Sequence, residues 1–301
     1  MNGASWALLV GPTVLAFFTG GYFAPARSWA GVGAWLLAAA AITLAPRPLP
    51  RHGAARLAIA ATAGFAAWTL LSTAWSPIAG NAYGAGQIAF LYLGALIAGA
   101  LLFRRPATRS LVEPVLAGGA ALVICYGLSE RVLPGVLHFA RSLSAQGRLE
   151  QPLTYWNAMG ELAAIGLVLC ARLAGSSERP AWLRCAAAAT APAIGMGLYI
   201  SFSRGALFAC AAGLVALAVF APRRDQVAAA TLAVLSGAAA AVVASPSSGV
   251  TGLAGSLAAR ERQGAVTLVA LVVITAAATA VQWRLCRKVS RSRLRMPRRS
   301  G

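Results

Sequence analysis

Apolar stretches of about 20 residues, the length that spans the hydrocarbon core of a bilayer, follow one another along nearly the whole chain. They fall at 4–24, 28–45, 57–75, 84–103, 111–131, 154–173, 185–202, 205–221, 226–244 and 264–283. Residues 185–221 are too many for one ordinary crossing and just enough for two, joined at Ser203-Arg204-Gly205. Turn chemistry marks the breaks: Pro25, Pro46-Arg47-Pro48, Ser76-Pro77, Arg104-Arg105-Pro106, Pro134-Gly135, Ser176 to Pro180, Pro222 and Ser245-Pro246. Composition agrees, since 59% of the 301 residues are hydrophobic and only 11% are charged. A soluble domain carries about 25% charged residues. The pattern predicts an all-α, polytopic transmembrane helix bundle of about ten spans. It occupies 1–283 as a single unit, followed by a basic tail over 284–301.

The net charge of +19 raises nucleic acid as a partner. The placement of the charge argues against it. Basic residues crowd into alternate short loops: Arg47, Arg51 and Arg56; Arg104, Arg105 and Arg109; Arg172, Arg179 and Arg184; Arg223 and Arg224; then the tail from Arg284 to Arg299. The remaining loops hold Arg27, Arg131, Arg141, Arg148, Arg204, Arg260 and Arg262. This positive-inside bias predicts that both termini are cytoplasmic, with outer loops at 132–153 and 245–263. No basic residue occurs in the first 24, so that stretch reads as a retained first helix, without the basic n-region of a cleaved signal. Cysteines 125, 170, 185, 210 and 286 are scattered and read as small buried residues. His52 and His138 have no metal-ligand company. No metal and no cofactor is expected, and the glycine-rich stretches read as close helix packing.

Two arginines stand out on the outer side. Arg204 lies between two apolar runs, where a charge at membrane depth costs roughly 2.5–3.5 kcal/mol and marks a functional site by default. Arg148 lies in the polar segment 146–157, just before another span. Arginine keeps its charge and offers a planar fork of donors matched to phosphate oxygens, so the two suit a diphosphate at the lipid–water boundary. Tyr155 and Trp156 are interfacial anchors, Asn157 supplies an amide donor, and Glu161 supplies a carboxylate about one turn into the sixth span. Each has a plainer reading. Arg148 fits a solvated or snorkelling side chain, and Glu161 fits the partner of a buried cation as well as a base acting on a hydroxyl.

At these residues the chain resembles the O-antigen ligase and polymerase superfamily of bacterial envelope enzymes. The matching pieces are Trp68-Thr69-Leu70-Leu71-Ser72-Thr73-Ala74-Trp75-Ser76-Pro77, Gly147-Arg148-Leu149 followed by Asn157-Ala158-Met159-Gly160, and Ser203-Arg204-Gly205-Ala206-Leu207. Their order and spacing carry the resemblance, which covers about 60–225. It implies a metal-independent glycan transfer at the outer face of the bacterial cytoplasmic membrane. The donor is a glycan on undecaprenyl diphosphate, and the acceptor is a hydroxyl of a second glycan or glycolipid. The family's diphosphate-binding arginines match Arg148 and Arg204. The family continues into a large outer loop bearing an essential histidine, and neither His52 nor His138 occupies such a place. Two expectations therefore stand together: a glycan ligase or polymerase, or a truncated or non-catalytic relative or transporter that binds the diphosphate lipid without bond chemistry.

Overall fold

The computed structural model describes residues 3–44, 50 and 52–294. The predicted turn at Pro46-Arg47-Pro48, together with Arg51 and the tail residues Arg295, Arg298 and Arg299, lies outside the described residues. Of the described residues, 81% are helical. Its helices are α1 (Gly3–Ala16), α2 (Ala24–Leu44), α3 (Gly53–Leu71), α4 (Ala79–Leu102), α5 (Pro106–Arg109) and α6 (Val112–Val132). They continue as α7 (Trp156–Gly175), α8 (Ala181–Ile200), α9 (Arg204–Phe220), α10 (Arg224–Ala244), α11 (Ser248–Thr251) and α12 (Leu257–Leu294).

Each of the ten apolar segments carries a helix, and among the described residues seven helical stretches have the length and composition to cross a membrane. The apolar helices α1 and α9 are shorter, at 14 and 17 residues. The first segment was expected to run unbroken over 4–24. It stops at Ala16 because Thr19, Gly20 and Gly21 all take positive φ, at 54°, 66° and 72°, which an α-helix cannot absorb. The last segment is longer than expected. α12 starts seven residues before Gly264 and absorbs part of the outer loop expected over 245–263, and α11 takes another part.

Two compact units form, Met1–Val115 and Leu116–Gly301. In the first, α4 packs on α2 and α3. Trp35 stacks on Phe90 with ring centroids 4.5 Å apart, and its indole N–H donates to the Phe90 carbonyl at 3.0 Å. The edge of the same indole lies 3.1 Å from where a Cβ on Gly94 would sit, so the ring packs tightly on the bare glycine.

In the second unit α8 is the central helix, packed against α7, α10 and α12. Its interior face is built of Ala187, Ala188, Ala191, Ile194, Gly195, Met196, Gly197 and Leu198. Small residues let backbones approach, the usual packing device where lipid supplies no hydrophobic drive between helices. The closest approach is Gly195 against Gly237 of α10, where a Cβ on Gly195 would overlap the Gly237 backbone. Outward faces are apolar instead: Phe208 and Phe220 of α9 are 77% and 86% exposed, as befits side chains meeting hydrocarbon.

The C-terminal end of α7 is held by buried polar side chains from three helices. The Gln226 amide of α10 donates to the Ala171 carbonyl at 2.7 Å. Arg184 Nε of α8 and Gln282 Nε2 of α12 both donate to the Ala174 carbonyl at 2.9 Å. Carbonyls in a helix's last turns need such partners when water is excluded.

Candidate functional site

The opposite end of α7 carries the residues singled out from the sequence. α8 ends at Ile200 and α9 begins at Arg204, with Ser201, Phe202 and Ser203 as the turn between them. Phe202 takes φ of 51° to make the reversal. Ser203 caps α9, its hydroxyl accepting from the Ala206 amide at 3.3 Å, and Ser201 Oγ accepts from the Ser203 amide at 3.2 Å. Both serines are buried, so this tight turn has a polar interior and presents Arg204 outward, exposed.

The segment before α7 lies against this turn. The Leu149 amide donates to the Ile200 carbonyl at 3.2 Å, and Leu149 is fully buried. Its neighbour Arg148 is half-buried, with the guanidinium 5.0 Å above the Trp156 ring, a cation–π contact at the first residue of α7. One turn further on, Gly160 takes the α8–α9 turn into its face. A Cβ there would come within 2.7 Å of Ser201 Oγ and within 2.9 Å of the Ser203 and Ala206 β-carbons. Glu161 Oε1 lies 3.8 Å from where a Cβ of Gly205 would stand. The positive end of the α9 dipole favours a carboxylate there. The structure thus gathers the segments of Arg148, Trp156, Gly160, Glu161 and Arg204 at one end of one unit.

Three expectations change in detail. Glu161 is exposed and, among the described residues, forms no ion pair, so it is not the partner of a buried cation. Asn157 spends one amide proton on the Tyr155 hydroxyl at 2.8 Å, leaving one for a ligand. Tyr155 is 49% exposed and tilts against Trp156, with centroids 5.1 Å apart. Arg204 forms no hydrogen bond or ion pair among the described residues. It also lies outside the nearby recess, which takes in Arg148 along with Glu130, Arg131, Arg141 and Glu150. That recess has about 20 Å³ of free volume. It admits little more than one water, far less than a diphosphate. Arg148 and Arg204 are open to a group of that size only on the exposed surface.

Sequence reasoning missed the charges that hold this end together. Arg131, 3% exposed, donates from Nη1 to the carbonyls of Val250 at 2.7 Å and Thr251 at 3.1 Å, and from Nη2 to that of Gly147 at 2.7 Å. One guanidinium thereby ties α6, the Arg148 segment and α11. Gly147 has φ of 79°, and its missing Cβ makes room for the Gly252 carbonyl. Glu130, 4% exposed, accepts from Arg141 Nη2 at 2.9 Å. Glu150, 5% exposed, accepts from the Ser142 amide at 2.8 Å and from the Ser142 hydroxyl. The Gln151 amide donates to the Ala140 carbonyl at 2.6 Å, and Phe139 stacks on Tyr126 at 4.6 Å. The loop between α6 and α7 is therefore a built polar cap. The only sequence signal was an acid–base pair, Glu130-Arg131, at the end of an apolar run.

No protein-family model, curated protein or solved structure matches this chain.

Proposed function

We propose that this chain holds the diphosphate of a lipid-linked glycan at the outer face of a bacterial cytoplasmic membrane. There it serves O-antigen ligase-like transfer of the glycan to a hydroxyl of an acceptor glycan or glycolipid. The observation that carries the reading is Arg204: a permanent cation, exposed, without a hydrogen-bond or ion-pair partner among the described residues, at the head of an apolar helix. Arg148 sits on the segment packed against the same turn. Fixed cations of this kind stabilise a leaving diphosphate, because its negative charge grows as the glycosyl bond breaks. In this reading the acceptor oxygen bonds to the anomeric carbon, the bond to the diphosphate oxygen breaks, and Glu161 takes the hydroxyl proton. The resemblance through Gly147-Arg148-Leu149 and Ser203-Arg204-Gly205 supports undecaprenyl diphosphate as the carrier.

The test is binding of undecaprenyl diphosphate, and of a glycosylated analogue, to purified protein in lipid nanodiscs. Arg204→Lys and Arg204→Ala are both expected to weaken binding by about tenfold or more, since losing one charge-assisted contact is worth at least about 1.4 kcal/mol. Arg223→Lys, whose exposed side chain makes only a 3.7 Å contact with Glu178, is expected to bind as wild type does. Equal affinity for all three would remove Arg204 from the site. Binding without transfer to any acceptor would favour the non-catalytic alternative.

The reading also requires an orientation with both termini inside and the α6–α7 loop outside, as the arginine bias predicts. Leu143 is fully exposed in that loop. In a variant lacking the native cysteines, Leu143→Cys is expected to react with a membrane-impermeant maleimide in intact cells. Reaction only after permeabilisation would reverse the topology.

A further inference from the structure

Arg260 sits in the first turn of α12 and is 9% exposed, yet among the described residues neither its Nε nor its Nη2 has a hydrogen-bond partner. These two atoms are not an arbitrary pair. They form one edge of the guanidinium, with two N–H bonds pointing the same way, the edge that grips a carboxylate or phosphate with two parallel bonds.

The surroundings sharpen the point. Arg260 packs its stem against Gly249, where a Cβ would meet its Cγ at 2.9 Å. Gln263, which could have reached back to cap the edge, instead accepts from the Gly249 amide at 2.7 Å. Arg131 lies within electrostatic reach of Arg260 and carries the same sign. The two buried carboxylates of the neighbourhood are already engaged, Glu130 by Arg141 and Glu150 by Ser142. A buried cation left without a counter-charge costs several kcal/mol. The first turn of α12 adds the positive end of a helix dipole.

We infer that Arg260, with Arg131 beside it, forms a buried oxyanion site at the end of the bundle that carries Arg148 and Arg204. It takes a phosphate or carboxylate group, either as a free anion or as the head of an acidic lipid. This site is separate from the surface on which Arg204 is presented, and it does not depend on the chain's handling any glycan.

The experiment uses the full chain in phosphatidylcholine nanodiscs, with thermal unfolding followed as potassium phosphate replaces potassium chloride at constant ionic strength. Wild type is expected to gain at least about 3 °C at saturating phosphate. Arg260→Gln is expected to show no such gain and to unfold in chloride no earlier than wild type, because the neutral amide removes an uncompensated charge. Arg260→Lys keeps the charge without the edge and is expected to lose most of the gain. Arg223→Gln is expected to keep all of it. A second arm uses phosphatidylglycerol nanodiscs without phosphate. Stabilisation of wild type over Arg260→Gln in that arm alone makes the ligand a lipid head; stabilisation by inorganic phosphate makes it a free anion. A wild type that responds in neither arm overturns the site, whatever the variants do. So does an equal response of wild type and Arg260→Gln, which marks a general salt effect. So does an Arg260→Gln protein destabilised equally in chloride and phosphate, which makes Arg260 a packing residue only.

Discussion

Arg131→Met is expected to unfasten the end of the second unit that carries the α6–α7 loop. The substitution keeps an unbranched apolar stem but leaves the buried carbonyl of Val250 and the part-buried carbonyls of Thr251 and Gly147 without their donor. Each unsatisfied buried group costs about 1–3 kcal/mol, and removing one partner of a buried charged network typically costs about 3–5 kcal/mol. The loss falls on two segments far apart in sequence and joined through one side chain. Hydrogen exchange should therefore speed up together at 147–151 and 248–254, while amides in the middle of α8 keep their protection. Donor binding should weaken as well, because Arg148 stands on one of the released segments. Unchanged exchange at both segments would show that the guanidinium does not fasten them.

The second large effect is expected at Gly195→Leu. The obstruction there is the Gly237 backbone itself, so no flexible side chain can yield. Overpacking usually costs about 1–3 kcal/mol, and a backbone-to-backbone crossing belongs at or above the top of that range. α8 would have to leave α10, and α8 also packs on α7 and α12. The variant should lose several degrees of thermal stability in detergent and extract poorly. Gly118→Leu on α6 is the control, since no atom lies within 4 Å of its would-be Cβ. Equal stability of the two variants would mean that the crossing is looser than described.

The helices were readable because their limits are written in local chemistry. The break at Arg104-Arg105-Pro106 follows the end of α4, Pro180 precedes α8 and Ser203 caps α9, and each acts within a turn or so of its own position. The break after Ala16 was not readable, because Thr19 and the glycines that follow look apolar enough to continue a span. Pro192 sits inside an unbroken α8, although a proline there reads as a possible kink. Around the site, the segments of Arg148, Glu161 and Arg204 drew notice as charges placed beside apolar runs, and these segments pack at one end of the second unit. The roles of Arg131 and Arg260 were not legible. Arg131 finds its partners at Val250 and Thr251, more than a hundred residues along the chain, and no local pattern announces a pairing at that distance. Arg260 carries a signal only once its burial is known.

The far end of α7 has a bearing on the site that it never touches. Gln226, Arg184 and Gln282 fix the carbonyls of Ala171 and Ala174 against three other helices. A slide of α7 by one residue, about 1.5 Å along its axis, would forfeit all three bonds where water cannot replace them. The helix is a stiff rod of 20 residues, about 30 Å long, so pinning its foot also fixes the altitude of its head. Trp156 and Glu161 are thereby held at a set height relative to α8, α10 and α12. On the function proposed above, a lipid-borne phosphate would meet them only at the level where its own chain leaves it. On that same proposal the two amides and the guanidinium at the far end act as a depth gauge, setting which headgroup plane the site would read.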